Sequence, residues 1–206
     1  MAQITHGVRR ILSSSLFYDL FQTIVGAKRF RRRIVERYLR PQPGMHIIDV
    51  GCGTGAMLDY LPEGVRYYGF DLSHDYIEHA KNQFGARGEF YCAGVADASE
   101  LRLPKADLII AIGLLHHLDD AEAIKLIRDI TRLLTPSGRC IAVDPCFEDN
   151  QSRIARWFLE RDRGQNVRDQ SGYLSLTVDL PVKVKVEISR DLLRIPYTHS
   201  IIELNT

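Results

Sequence analysis

The sequence predicts an α/β sandwich, with a mostly parallel sheet covered by helices on both faces and an antiparallel strand pair at its C-terminal end. Three observations predict it. Near-continuous apolar runs at 46–50, 67–71, 88–92, 107–112 and 139–144 alternate with stretches of helical periodicity, the pattern of buried parallel strands joined by crossover helices. The first run ends in the glycine-rich turn Asp49-Val50-Gly51-Cys52-Gly53-Thr54-Gly55. Late in the chain, Val182-Lys183-Val184-Lys185-Val186-Glu187-Ile188 switches to strict alternation, and a last strand follows at 200–204, so two neighbouring strands close the sheet.

The elements follow in order. Residues 8–25 read as one or two short helices. Residues 28–40 read as an amphipathic helix with Phe30, Ile34, Tyr38 and Leu39 on one face and arginines on the rest. Pro41-Gln42-Pro43-Gly44 stops it. After strand 46–50 and its glycine turn, a helix is expected at 55–61, its free N–H groups facing polar ligand atoms. Helices at 74–84 and 120–134 come next. The second has an apolar face of Ala123, Ile124, Ile127, Ile130 and Leu134, and Thr135-Pro136-Ser137-Gly138 ends it. Residues 152–162 form a further helix, and 163–181 are polar and glycine-punctuated, a loop or lid. One domain over 1–206 is expected, with a helical cap (1–43), a ligand-binding core (44–145), and a lid segment with the terminal strand pair (146–206).

Composition bounds the function. The chain has 206 residues, 45% hydrophobic and 26% charged, an ordinary globular balance with enough length for a sizeable core. Its net charge is +1, but residues 1–40 carry +7 and the remainder −6, so a polyanionic partner is one reading of the basic arm. A solvated helix face is the plainer one. Four cysteines at 52, 92, 140 and 146 lack zinc-ribbon spacing and read as reduced thiols of a cytoplasmic protein. No apolar run approaches the roughly 18 residues of a membrane span.

The glycine turn points to a nucleoside ligand. Glycine permits both the unusual dihedrals and the close approach of backbone to ligand. Asp71 ends the run Tyr67-Tyr68-Gly69-Phe70 twenty positions after Gly51, where a ribose-binding carboxylate belongs. Gly51-x-Gly53-x-x-Ala56 equally fits a nicotinamide dinucleotide fingerprint, so two cofactor classes stand at this point.

Further residues carry a resemblance. Ile48-Asp49-Val50-Gly51-Cys52-Gly53-Thr54-Gly55, Gly69-Phe70-Asp71-Leu72-Ser73, the stretch Asp107–Leu118 ending in Leu114-Leu115-His116-His117-Leu118, and Leu133-Leu134-Thr135-Pro136-Ser137-Gly138 together resemble the class I S-adenosylmethionine-dependent methyltransferases. The resemblance implies a three-layer Rossmann-like sandwich with a seven-stranded sheet. It implies that Gly51, Cys52, Gly53 and Gly55 line the methionine and ribose portion of the cofactor. Asp49 holds the loop and accepts from the cofactor's amino group, Asp71 binds the ribose hydroxyls, Leu72 packs on adenine, and Ile112-Gly113 face the methionine end. Many relatives have an aspartate after the third strand that contacts adenine. Here the sequence is Gly94-Val95-Ala96-Asp97, so either Asp97 reaches adenine or the backbone of Val95 and Ala96 does. Tyr18, in Phe17-Tyr18-Asp19-Leu20-Phe21, is a further candidate contact.

Catalytic residues are harder to read. His116 and His117 follow a strand's carboxyl end, where open α/β sheets bind ligands. His117 is the candidate general base; a histidine that packs on the cofactor or caps a helix is the plainer reading. No metal site is expected, because adjacent histidines do not converge and no Cys/His cluster has ligand spacing. Asp144-Pro145-Cys146 opens on the same cleft without a recognised nucleophile motif. The expected activity is methyl transfer from S-adenosylmethionine, leaving S-adenosylhomocysteine, to a small-molecule, sugar or lipid-type acceptor. Arg161 and Arg163 would attract an anionic one. The alternatives are an NAD(P)-dependent oxidoreductase, an RNA methyltransferase using the basic N-terminal helix, and a non-catalytic binding protein.

Overall fold

The computed structural model describes residues 26–99, 101–162 and 164–206. The helices expected at 8–25, with Tyr18, lie outside them. Eight strands are present among the described residues: β1 (His46–Val50), β2 (Arg66–Asp71), β3 (Gly88–Cys92), β4 (Ala106–Ile112), β5 (Leu134–Phe147), the two-residue β6 (Arg168–Asp169), β7 (Lys183–Ser189) and β8 (His199–Asn205). Five helices accompany them: α1 (Ala27–Ile34), α2 (His74–Phe84), α3 (Asp120–Leu133), α4 (Arg153–Leu159) and α5 (Gln170–Ser175).

The main sheet runs β3-β2-β1-β4-β5-β8-β7, and β6 pairs off this path with β5. The strands β1 to β5 pair in parallel. β8 pairs antiparallel with both β5 and β7, so it runs against the rest while β7 is parallel to them again. The α/β class, the parallel core and the closing antiparallel pair are as the sequence predicts.

Alternation along each strand sorts side chains to two faces. Ile48, Ile109, Ala111, Cys140, Ala142 and Ile202 join Ala123, Ile127 and Ile130 of α3, with Tyr173 of α5, on one face. Ile47, Leu108, Ile110, Ile141, Val143 and Ile201 join Ile34 of α1 and Ile77, Ala80 and Phe84 of α2 on the other. These are the two cores of a three-layer sandwich. Edge strand β7 keeps its alternation, with Lys183 and Lys185 outward, and charge on an edge discourages further strand addition.

Helix boundaries follow local chemistry. Ser73 caps α2 by accepting from the Tyr76 N–H at 3.4 Å. Asp119 and Glu122 form a reciprocal capping box at the start of α3. Three expectations need correction. The helix expected at 55–61 is only a single 3-10 turn, Leu58–Tyr60, and Leu61 is extended (φ −87°, ψ 147°). Pro62 disfavours helical dihedrals at the residue before it, leaving too few residues for an α-helix. The stop signal at Thr135–Gly138 is already strand, because β5 begins at Leu134. The stretch read as a loop or lid contains β6 and α5. Asp169 caps α5, its carboxylate accepting from the Gly172 N–H at 2.7 Å.

The basic helix also changes character. α1 passes at its C-terminal end into a π-helical turn, Val35–Leu39, and Arg40 stops it in the left-handed region (φ 39°). Arg33 and Arg37 reach across to Asp191 at 2.5 and 3.0 Å. Arg139 of β5 donates to the Tyr38 and Leu39 carbonyls. Part of the helix's positive charge is therefore directed at the chain itself.

Candidate functional site

The carboxyl ends of β1, β2 and β4 bring the predicted residues together. Gly51, Gly53 and Gly55 all take left-handed φ values, 75°, 54° and 74°, which other residues adopt only at a cost. The Gly51 and Cys52 N–H groups donate to the Phe70 carbonyl at 2.8 and 3.0 Å, tying the turn to β2. The three glycines do different work. A Cβ on Gly53 would meet nothing within 4 Å, whereas one on Gly51 would touch Leu114. One on Gly55 would press on Phe84 and Phe90 at 2.9–3.2 Å, so Gly55 admits a core contact. Gly69 does the same for Cys52, whose sulfur lies 2.8 Å from the position of a Cβ there.

Asp71 sits beneath the turn. Its Oδ2 accepts from the Gly53 N–H at 2.9 Å and its Oδ1 from the Ser73 N–H at 2.8 Å. Two carboxylate oxygens offer about four acceptor sites, so both retain capacity for a ligand's hydroxyls. Leu72, next to it, is 69% exposed, an apolar side chain left open just past the carboxyl end of β2. Asp49 is buried and receives the Tyr67 hydroxyl at 2.6 Å. Burial raises its carboxyl to about 7, opposed by the Tyr67 hydrogen bond and aided by the neighbouring Asp71. Burial likewise pushes the Cys52 thiol up, which disfavours thiolate chemistry there.

After β3, the Val95 side chain is buried in the core, while Ala96 and Asp97 are exposed. The Asp97 carboxylate accepts from the Gly94 N–H at 3.1 Å, so its side chain closes its own turn. After β4, Gly113 is left-handed (φ 64°) and its N–H donates to Val143 at 2.8 Å. His116 Cε1 lies 3.7 Å from where a Cβ on Gly113 would sit.

Sequence reasoning missed what surrounds His116. The ring is buried, with Nδ1 2.7 Å from Asp144 Oδ1 and Nε2 3.2 Å from Asp162 Oδ1. The Tyr197 hydroxyl donates to the other Asp162 oxygen at 2.6 Å, and the Gly164 N–H donates to Oδ1 at 3.0 Å. Burial lowers the pKa of His116, but the hydrogen bonds to Asp144 and Asp162 outweigh it and hold it at about 9. Burial also works against the charge of Asp162, yet His116, the Gly164 N–H and Tyr197 together hold its carboxyl well below the usual range. Nearby, His199 is buried and pushed down to about 3 by that burial. Asp144 Oδ2, Ser200 Oγ and His199 Nδ1 are buried without a hydrogen-bond partner among the described residues. His117 is exposed, its ring 4.0 Å from that of His116. The place of Asp144 near the carboxyl end of β5 was a usable signal; Asp162 and Tyr197 carry none, because only the fold brings them to His116.

Among the described residues no group of three or more His, Cys, Asp or Glu is placed to hold a metal ion, and no helix is long and apolar enough to cross a membrane.

Comparison with known proteins adds the following. A family model described as a methyltransferase domain matches residues 24–173. The O-methyltransferase resE of Aspergillus sclerotiorum is 31% identical over 142 residues, 65% of this chain and 53% of that protein. The ubiquinone/menaquinone biosynthesis C-methyltransferase UbiE of Desulfotalea psychrophila is 31% identical over 137 residues, 62% of this chain and 53% of that one. The chain spans about half the length of these curated relatives. The plantazolicin methyltransferase BamL, solved with S-adenosylhomocysteine, superimposes with a TM-score of 0.65 at 16% identity, covering 98% of this chain and 92% of BamL.

Proposed function

Because this chain belongs to the methyltransferase-domain family, we propose that it moves the methyl group of S-adenosylmethionine onto a small-molecule acceptor, with a hydroxyl oxygen as the receiving atom. One observation carries the cofactor half of this reading. The open, left-handed Gly53 hangs from the same Asp71 carboxylate that keeps acceptor capacity on both oxygens. That pairing makes a cradle a side chain would fill, beside a group suited to a ribose diol.

The residues divide the work. The backbone at Gly51 and Gly53 lets the ligand approach closely, and Cys52 packs the turn against Gly69. Asp71 takes the ribose hydroxyls, Leu72 covers the adenine, and the backbone of Val95 and Ala96 meets its edge. Ile112 and Gly113 flank the methionine end. Asp49 answers the cofactor's amino group, directly or through water. When bound, S-adenosylmethionine supplies an already electrophilic methyl, so the chain needs no nucleophile of its own. The chain has to position the acceptor and exclude water. His117, exposed beside the buried His116 ring, takes the acceptor's proton, because both nitrogens of His116 are engaged by carboxylates. A hydroxyl acceptor accords with the O-methyltransferases among the relatives.

Titration calorimetry with S-adenosylmethionine tests the cofactor half: binding is expected, and its absence removes the reading. A panel of hydroxylated acceptors followed by S-adenosylhomocysteine release tests the other half. His117→Ala should lower turnover and leave S-adenosylhomocysteine affinity intact; unchanged turnover removes His117 from the mechanism.

A further inference from the structure

The group facing His116 Nε2 comes from outside the strand-end loops that form the rest of the site. Asp162 follows α4 in an irregular stretch, and its carboxylate is received by three donors: the His116 ring, the Tyr197 hydroxyl and the Gly164 N–H. We propose that His116 and Tyr197 form a carboxylate socket filled here by the chain's own Asp162, and that the acceptor is a small hydroxylated carboxylic acid whose carboxylate takes Asp162's place. The proposal rests on the methyltransferase reading above and names the acceptor class for it.

Accessibility distinguishes the two carboxylates on the ring. The Asp144 side chain is fully buried, whereas that of Asp162 is 23% exposed. A ligand from solvent therefore meets Asp162 first, and His116 keeps Asp144 on Nδ1 throughout. Charge favours the exchange. A ligand carboxylate entering as Asp162 leaves swaps one anion for another, so no additional charge is buried, and Asp162 regains water. A neutral acceptor displacing Asp162 would instead leave the His116 Nε2–H without its charged acceptor while Asp144 still holds Nδ1, and depriving a buried donor of a charged acceptor is costly. That asymmetry gives selection for the anion.

Location completes the case. The His116 ring borders Gly113, at the end of β4 assigned above to the reacting end of the cofactor, and the His117 ring lies beside it at 4.0 Å, tilted by 38°. Arg168 does not compete for the anion, since it pairs with Asp120 at 2.7 Å and donates to the Leu115 and Leu118 carbonyls. Tyr173 is also engaged, donating to the Pro145 carbonyl at 2.7 Å.

The test uses benzoate as probe and benzamide as neutral control, in calorimetry on the full chain saturated with S-adenosylhomocysteine. Asp162→Ala, which empties the socket, should bind benzoate about tenfold more tightly than the unmodified protein, the scale of one charge-assisted hydrogen bond. Benzamide should gain nothing, and adding Tyr197→Phe should remove most of the benzoate gain. No gain, or an equal gain for benzamide, overturns the proposal. If Asp162→Ala does not fold, benzoate should restore folding where benzamide does not; failure of that rescue overturns it too. Binding of S-adenosylhomocysteine, measured separately, shows whether the methyltransferase reading itself has failed.

Discussion

Asp71 joins two tasks in one side chain, since it fixes the Gly53 and Ser73 amides and faces the open side of the turn. Replacing it with Asn keeps the size but removes the charge and half the acceptor capacity. Asp71→Asn should weaken S-adenosylhomocysteine binding about 10- to 100-fold, the worth of charge-assisted hydrogen bonds, measured by calorimetry. Asp49 gives a different signature. Burial holds its carboxyl at about 7, above its ordinary 3.8, so it is protonated in much of the ligand-free protein just below neutrality. A cationic amino group nearby favours the ionised form. Cofactor binding at pH 6.5 should therefore release protons, seen as a dependence of the binding heat on buffer ionisation enthalpy, and Asp49→Asn should abolish that dependence. The left-handed glycines and the Asp71 carboxylate beside them were legible in the sequence, because a positive φ leaves few residue choices. The His116 environment was not, since it depends on residues 144, 162 and 197, far apart in the chain.

Secondary structure was legible wherever burial is periodic. β1 and β3 fall at the predicted residues, β2 and β4 within one residue, and α2 and α3 as predicted to within a residue. The failures were local, at Pro62, which shortened a helix to one turn, at Thr135–Gly138, which β5 takes into strand, and at 163–181, whose polar composition hid β6 and α5. In that stretch Gly164 crosses directly over the His116 ring, where a Cβ would lie 1.8 Å from Cδ2. Gly164→Ala must lift the segment, and should cost about 1–3 kcal/mol of stability as overpacking does, read from urea unfolding. It should also return the His116 pKa toward its ordinary value, followed by NMR, because Asp162 moves with the segment. The docking of α1 is weaker. Arg33 and Arg37 meet an Asp191 that is half exposed, so Asp191→Ala should cost no more than about 1 kcal/mol and the loss should shrink with added salt.

For the whole molecule, three buried titrating groups set the stability profile. The folded pKa of His116, about 9, lies above its ordinary 6.5. Its contribution is complete below 6.5 and is lost as pH rises through 9. His199 is pushed down to about 3, so its contribution is present above 6.5 and is lost as pH falls. Asp49, raised to about 7, contributes most at low pH and loses that contribution as pH rises to 7, which opposes His199 over nearly the same range. The unfolding free energy in urea should be nearly level from about pH 4 to 6.5 and then decline toward pH 9. His116→Gln should remove the decline, and Asp49→Asn should expose the acid-side slope of His199. Topology has a consequence for how the molecule forms. β8 lies between β5 and β7, although it is synthesised after both. Until it arrives, the nascent sheet stops at β5, and both β5 and β7 present bare hydrogen-bonding edges. Pairing β8 with β7 is local, Ser189 opposite His199, but pairing it with β5, where Pro145 faces His199, closes a long sequence separation, a slow step. During that interval the incomplete chain is at its most vulnerable to pairing with a neighbour.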